Sequence, residues 1–148
     1  MFKLLGKNIN DTAKLIRVFV NSKLDKYQLG DGQFALLHQI SINEGLSQEK
    51  LSVLHNVDKA TVTKSVKKLI RNGYIYREKN VNDGRAYKLY CTQKGLNFLP
   101  TIYNILDLKE RLLASHIDVE ELLIFKKVLN QIDSNITDYL KKEKEKNG

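Results

Sequence analysis

The residues best equipped for chemistry in this 148-residue chain are cationic or short, and they gather between Lys59 and Arg71. With successive residues about 100° apart on a helix, Val62, Val66 and Leu69 share one face. Ala60, Lys64, Lys67 and Arg71 share the opposite face, flanked by Thr61, Thr63 and Lys68. Long cations at this spacing hold phosphates, and short residues in the first half of such a helix allow close approach to base edges. Ala60 or a threonine methyl can meet a thymine methyl, a threonine hydroxyl can reach a base or phosphate, and Lys64 can reach a guanine edge. Lys67, Lys68 and Arg71 suit phosphates, and Lys59 opens the same helix. The alternative is a solvated cationic face, the commonest fate of a charged helix surface.

A second group follows at Asp83, Gly84, Arg85 and Lys88. Asn82-Asp83-Gly84 between two alternating segments signals a hairpin, which places Arg85 near its tip. A slender arginine there suits a narrow minor groove, where negative potential is deepest over A·T sequence. Asp83 can accept a bidentate bond and hold the guanidinium in position. The alternative is a loop salt bridge worth less than about 1 kcal/mol.

Charge is distributed in the same sense. Between Ser47 and Thr92 ten Lys/Arg stand against four Asp/Glu, so this stretch supplies six of the chain's +8. Residues 93–148 are balanced, with nine of each sign. A cationic segment beside a neutral remainder fits a polyanion reader on a separate scaffold, and double-stranded DNA is the leading partner. The single cysteine, Cys91, cannot form an internal disulfide and fits a reducing cytoplasm. On the alternating strand it shares a face with Leu89, which favours packing over redox sensing. No run approaches a membrane span and the first residues carry no apolar stretch of signal-peptide length, so no membrane is expected. His38, His55 and His116 are scattered without ligand spacing, so no metal or cofactor is implied. Catalytic motifs are missing too, which argues against an enzyme.

The elements that must position these groups are mainly helical, with one small hairpin. A first helix, about Phe2 to Tyr27, carries the stripe Leu5, Ile9, Ala13, Ile16, Val20 and Leu24. Leu29–Gly32 breaks it, and a second helix from Gln33 to about Asn43 turns Phe34, Leu37 and Ile40–Ile42 inward. Ser47 caps a third helix with Leu51 and Leu54 inward. Asn56 takes the left-handed turn, Val57 plugs the corner, and Asp58 caps the cationic helix, which ends at Gly73. The strands are Tyr74–Asn80 and Ala86–Cys91, joined through Val81–Arg85. Thr92 caps a long helix expected to bury Leu96, Leu99, Tyr103 and Leu106, with Leu112–Leu113 as further inward candidates, and to kink or break at Pro100. A last helix from Asp118 to about Lys142 carries Leu122, Phe125, Leu129, Ile132, Ile136 and Tyr139 as a coiled-coil-like seam, with Lys141–Gly148 fraying.

Leu46-Ser-Gln-Glu-Lys-Leu51, Val57-Asp-Lys-Ala-Thr-Val-Thr63, Leu69-Ile-Arg-Asn-Gly-Tyr-Ile75, Asp83-Gly-Arg85 and Thr92-Gln-Lys-Gly95 together resemble the MarR family of winged-helix transcriptional regulators. Asn56 stands where the family often has Gly, and Cys91 where an aliphatic residue usually precedes the Thr. The resemblance implies a winged helix-turn-helix over residues 33–95, with residues 1–32 and 96–148 as N- and C-terminal dimerisation helices. It implies a homodimer that binds a palindromic operator, most simply as a repressor. It also implies a small anionic or phenolic effector in a crevice that Arg17, His38 and Tyr103 would border. The competing readings are a winged-helix protein–protein interaction module, or a ligand or redox sensor without direct DNA contact.

Overall fold

The computed structural model describes residues 4–148, apart from the Arg85 side chain, so the expected first turn at Phe2 lies outside the described residues. Helix α1 spans Leu5–Leu24 and passes into a 3-10 turn, Asp25–Tyr27. Helix α2 spans Asp31–Ile42. Asp31 and Gly32, expected in the break, are therefore helical. Side chains satisfy the donors this earlier start leaves open. Gly30 N–H donates to Gln33 Oε1 (2.8 Å), and Asp31 N–H donates to Asn21 Oδ1 on α1 (2.9 Å).

The short strand β1 (Leu46–Ser47) leads into α3 (Gln48–His55), then α4 (Lys59–Arg71), β2 (Ile75–Asn80) and β3 (Asp83–Cys91). The expected hairpin is in fact part of a three-stranded antiparallel sheet, ordered β1-β3-β2, because Leu46 and Ser47 register against Leu89 and Lys88. Two residues give no period to read, so β1 leaves no signature in the sequence. The hairpin tip also moves. Asn80 pairs with Asp83, leaving Val81 and Asn82 as the two-residue loop. The register then passes from Asn80–Asp83 to Lys79–Tyr87, so Gly84, Arg85 and Ala86 fall in a bulge rather than at the tip.

Helix α5 spans Gln93–Ala114 and α6 spans Val119–Asn147. Pro100 does not break α5, and α6 stays helical through most of the segment expected to fray. The chain forms two compact units, one through Lys109 and one from Glu110 onward. The first holds a core in which Leu24, Leu37, Ile40, Leu51, Val62, Val66, Leu69, Ile75, Leu89 and Ile102 are shut off from solvent.

Burial corrects three helical faces. On α5 the inward stripe is Phe98, Ile102 and Ile105, while Leu96 and Tyr103 are exposed and Leu99 and Leu106 half-buried. The helix has two apolar stripes; the core takes the second fully and reaches only Leu99 and Leu106 of the expected one, whose continuation at Leu112 and Leu113 is exposed. On α3, Leu54 is 57 % exposed, and the small polar Ser52 takes the buried position instead. On α2, Leu36 is buried and Ile42 exposed. In the second unit no described residue of α6 is buried, and Phe125, Ile136 and Tyr139 are each about 60 % exposed.

The start of α5 is fixed to the end of α4 by the Thr92-to-Gly95 turn. Thr92 Oγ1 donates to Gly73 O (2.6 Å) and accepts from Gly95 N–H (3.1 Å), while Thr92 N–H donates to Tyr74 O (3.1 Å). A Cβ on Gly95 would lie 2.1 Å from that Tyr74 oxygen, which is backbone and cannot swing away. Gly95→Ala should therefore destabilise the chain by roughly 1–3 kcal/mol or more, measured by chemical denaturation. A variant as stable as the parent would show that the turn can open at no cost.

Candidate nucleic-acid interface

The corner that aims α4 is built from local chemistry. Asn56 adopts the left-handed conformation (φ 49°, ψ 43°) that only Gly, Asn and Asp tolerate readily. Its N–H donates to Val53 O and that of Val57 to Ser52 O (3.1 Å), closing the end of α3. Ser52 Oγ donates to Val57 O (2.9 Å), so the buried serine staples the corner it faces. Asp58 then caps α4, accepting from Thr61 N–H (2.9 Å) and from the Thr61 hydroxyl (2.6 Å). The hydroxyl first, and the backbone N–H after it, hold the Asp58 carboxyl below its ordinary range. At the far end Gly73 (φ 76°) and Tyr74 donate back to Ile70 O and Leu69 O.

Hydrogen bonds with earlier elements pin α4 along its length. Gln33 Nε2 donates to the buried Ser65 Oγ (3.3 Å), Gln48 Nε2 to Thr63 Oγ1 (3.4 Å), and Asn72 Nδ2 to Gln28 O (3.0 Å). These positioning residues escaped the sequence reading. Only Gln33 had a local signal, as the third residue after a helix cap. The other partners lie too far apart in sequence for a motif.

The expected outer face of α4 is where it should be. Ala60, Thr61, Lys64, Lys67, Lys68 and Arg71 are exposed, and Thr63 is half-buried. Lys59 is exposed too and pairs with Glu49 at 3.7 Å, with both side chains more than three-quarters accessible. Such a pair contributes little and is readily exchanged for a phosphate. One expectation changes. The Thr61 proton is committed to Asp58 and the Thr63 proton to Lys59 O (2.8 Å), so neither hydroxyl is free to donate to a phosphate.

In the wing, Asp83 and Gly84 are exposed, and Lys88 is half-buried with Glu78 and Ser47 as its cross-strand neighbours. Arg77 lies over the Tyr87 ring at 4.6 Å. The Arg85 side chain lies outside the described residues; its backbone belongs to the bulge of β3.

Of the three residues expected to border a crevice, His38 on α2 and Tyr103 on α5 meet edge to face, with ring centroids 5.7 Å apart. Arg17 is exposed on α1. His38 also acts on His55 at the end of α3, whose Nε2 is buried and has no hydrogen-bond partner. Cys91 is buried, and burial pushes its thiol up to about 11, which leaves almost no thiolate at neutral pH. Among the described residues no group of three or more His, Cys, Asp and Glu could together hold a metal ion, and no helix is long and apolar enough to cross a membrane.

The model of the MarR family matches residues 29–87, from the turn before α2 into the wing. The HTH-type transcriptional regulator BilQ of Clostridioides difficile is 33 % identical over 104 residues, which is 70 % of each chain. The chain belongs to the MarR family. A solved MarR protein from Peptoclostridium difficile superposes with a TM-score of 0.85 at 26 % identity, covering 92 % of this chain and 89 % of that one. A MarR-family regulator from Listeria monocytogenes, solved in complex with a 26mer DNA, gives 0.79 at 26 % identity over 89 % and 88 %. This MarR-family chain is a DNA-binding transcriptional regulator of winged-helix fold.

Half-buried His55 gives the fold a pH dependence. Burial first, and then His38, hold its imidazole below 6.5, so the fold favours the neutral ring. The stability this contributes is complete above 6.5 and is lost as pH falls from there through the lowered folded value. Denaturation midpoints should drop over that acidic window, and His55→Leu should flatten the drop. An unchanged slope in the variant would remove His55 as the source.

Proposed function

We propose that this regulator represses transcription in the cytoplasm as a homodimer on a palindromic operator, with α4 in the major groove and the wing in the minor groove. The observation that carries the reading is the division of α4. Val62, Val66 and Leu69 are buried, while Ala60, Thr61, Lys64, Lys67, Lys68 and Arg71 look outward. A protein-binding module would expose large apolar anchors on this helix, whereas these are three lysines, an arginine, a threonine and an alanine. In this reading residues 33–95 contact DNA, with Lys64 at a base edge, Lys59, Lys67, Lys68 and Arg71 on phosphates, and Arg85 and Lys88 serving the wing beside Asp83 and Gly84.

Several phosphate contacts predict affinity that falls steeply and linearly with salt on logarithmic axes. Replacing Lys67 and Arg71 by Ala should reduce that slope by about one for each phosphate left without its cation. Arg85→Ala should weaken specific binding by about 1–3 kcal/mol without changing oligomeric mass. Affinity that is insensitive to salt in the parent chain would overturn the reading.

Uncovered apolar surface supports the second copy. A helix of 29 residues with no buried member, beside Leu96 and Tyr103 exposed on α5, needs a partner that one chain does not provide. Residues 1–32 and 96–148 supply that pairing in this proposal. Phe125→Glu combined with Ile136→Glu should give a helical monomer by light scattering. A persistent dimer would exclude α6 as the seam. The surface beside the His38–Tyr103 ring pair, with Arg17 on the neighbouring helix, is the proposed seat of a small anionic or phenolic effector.

A further inference from the structure

The first half of α4 carries a shallow depression lined by Ala60 and Thr63, with Lys59, Lys64 and Lys67 around them. Residues 60, 63, 64 and 67 follow one another at helical spacing, so the depression runs along the outward face. Its chemistry is decided by where the Thr63 hydroxyl is engaged. Oγ1 donates to Lys59 O at 2.8 Å and accepts from Gln48 Nε2 at 3.4 Å, so the oxygen is turned back into the protein. Thr63 is left to offer its methyl group beside the methyl of Ala60. The neighbouring Thr61 is in the same condition, its proton held by Asp58 at 2.6 Å. The opening of the helix thus presents methyl groups to the groove, within a ring of ammonium groups long enough to reach the flanking phosphates.

Of the groups that base pairs display in the major groove, one matches an apolar dimple: the 5-methyl of thymine. Resting on the DNA-binding reading above, we propose that each α4 reads the methyl group of one thymine per half-site through the Ala60–Thr63 depression. Gln48 on α3 acts as a positioning residue, because its bond to the Thr63 hydroxyl fixes which side of that threonine faces the DNA. Lys59 and Lys67 hold the strand without choosing the base, so base choice at the Ala60–Thr63 position comes from methyl contact.

The test uses the full chain and a duplex enriched by it from a random pool, compared with copies in which single thymines become deoxyuridine. That exchange removes the methyl and leaves every hydrogen-bonding group in place. One position in each half-site should lose affinity about fourfold on losing its methyl, and both together roughly fifteenfold. Thr63→Ser keeps the hydroxyl and its two bonds but lacks the methyl, so its preference for thymine over uracil should fall toward one. Ala60→Gly, checked for helicity by circular dichroism, is the second variant should the first fold poorly. An enriched duplex that tolerates deoxyuridine everywhere overturns this inference and leaves the DNA-binding reading intact. So does full discrimination by a folded Thr63→Ser chain. If no duplex is enriched at all, both fall.

Discussion

Every DNA contact proposed for this regulator depends on how firmly α4 is seated. The seat is mostly apolar. Val62, Val66 and Leu69 are each at most 1 % exposed, and burying such side chains contributes roughly 1.5–3 kcal/mol apiece. The polar ties from Gln33, Gln48 and Asn72 add about 0.5–1.5 kcal/mol each and do not decide whether the helix packs. Their value is directional. Three aliphatic residues on one face leave a helix free to roll by a fraction of a turn, and bonds from α2, α3 and the loop before α2 remove that freedom. The hydrophobic contact sets the strength of the seat, and the hydrogen bonds set its angle.

The same separation explains why the outer face tolerates so much positive charge. The five Lys/Arg between Lys59 and Arg71 repel one another, and α4 contains no acidic residue to offset them. Folding still succeeds because the ammonium and guanidinium groups stay in water, where repulsion is screened over about 8–10 Å. Relief comes when phosphates replace counterions, so the strain of like charge is converted into affinity. Asp58 at one end and Glu49 across the corner are the nearby acids, and both lie at the N-terminal end of α4, where helix-dipole or capping chemistry favours them.

What the sequence made legible was local. The caps at Ser47, Asp58 and Thr92, the left-handed Asn56 and the polarity of α4 each follow from residue type within four or five positions, and each is present in the fold. The losses have one cause. β1 exists only because Leu46 and Ser47 meet β3 more than forty residues later. Ser52 displaces Leu54 from the core because the corner carbonyl of Val57 needs a donor. The wing tip shifts because a bulge, not the Asp-Gly pair, reconciles the strands. In the site, the outward residues of α4 were readable from periodicity, whereas the engagement of the Thr61 and Thr63 hydroxyls was not.

The misread stripe of α5 is the most instructive. Leu96, Leu99, Tyr103 and Leu106 repeat as well as Phe98, Ile102 and Ile105, and periodicity alone cannot rank two apolar faces. The chain's own core takes the second set. In the proposed dimer the exposed members of the first set, Leu96 and Tyr103, meet another copy, and α5 becomes a beam loaded on both sides. Its N-terminal end is tied through Thr92 to Gly73 O and through the close Gly95 approach to Tyr74 O, which are the residues that terminate α4. Close-packed contacts of this kind transmit displacement instead of absorbing it. In that proposed dimer, a shift of the outward stripe by an ångström or so is taken up at the C-terminal end of α4 and alters the spacing of its two copies.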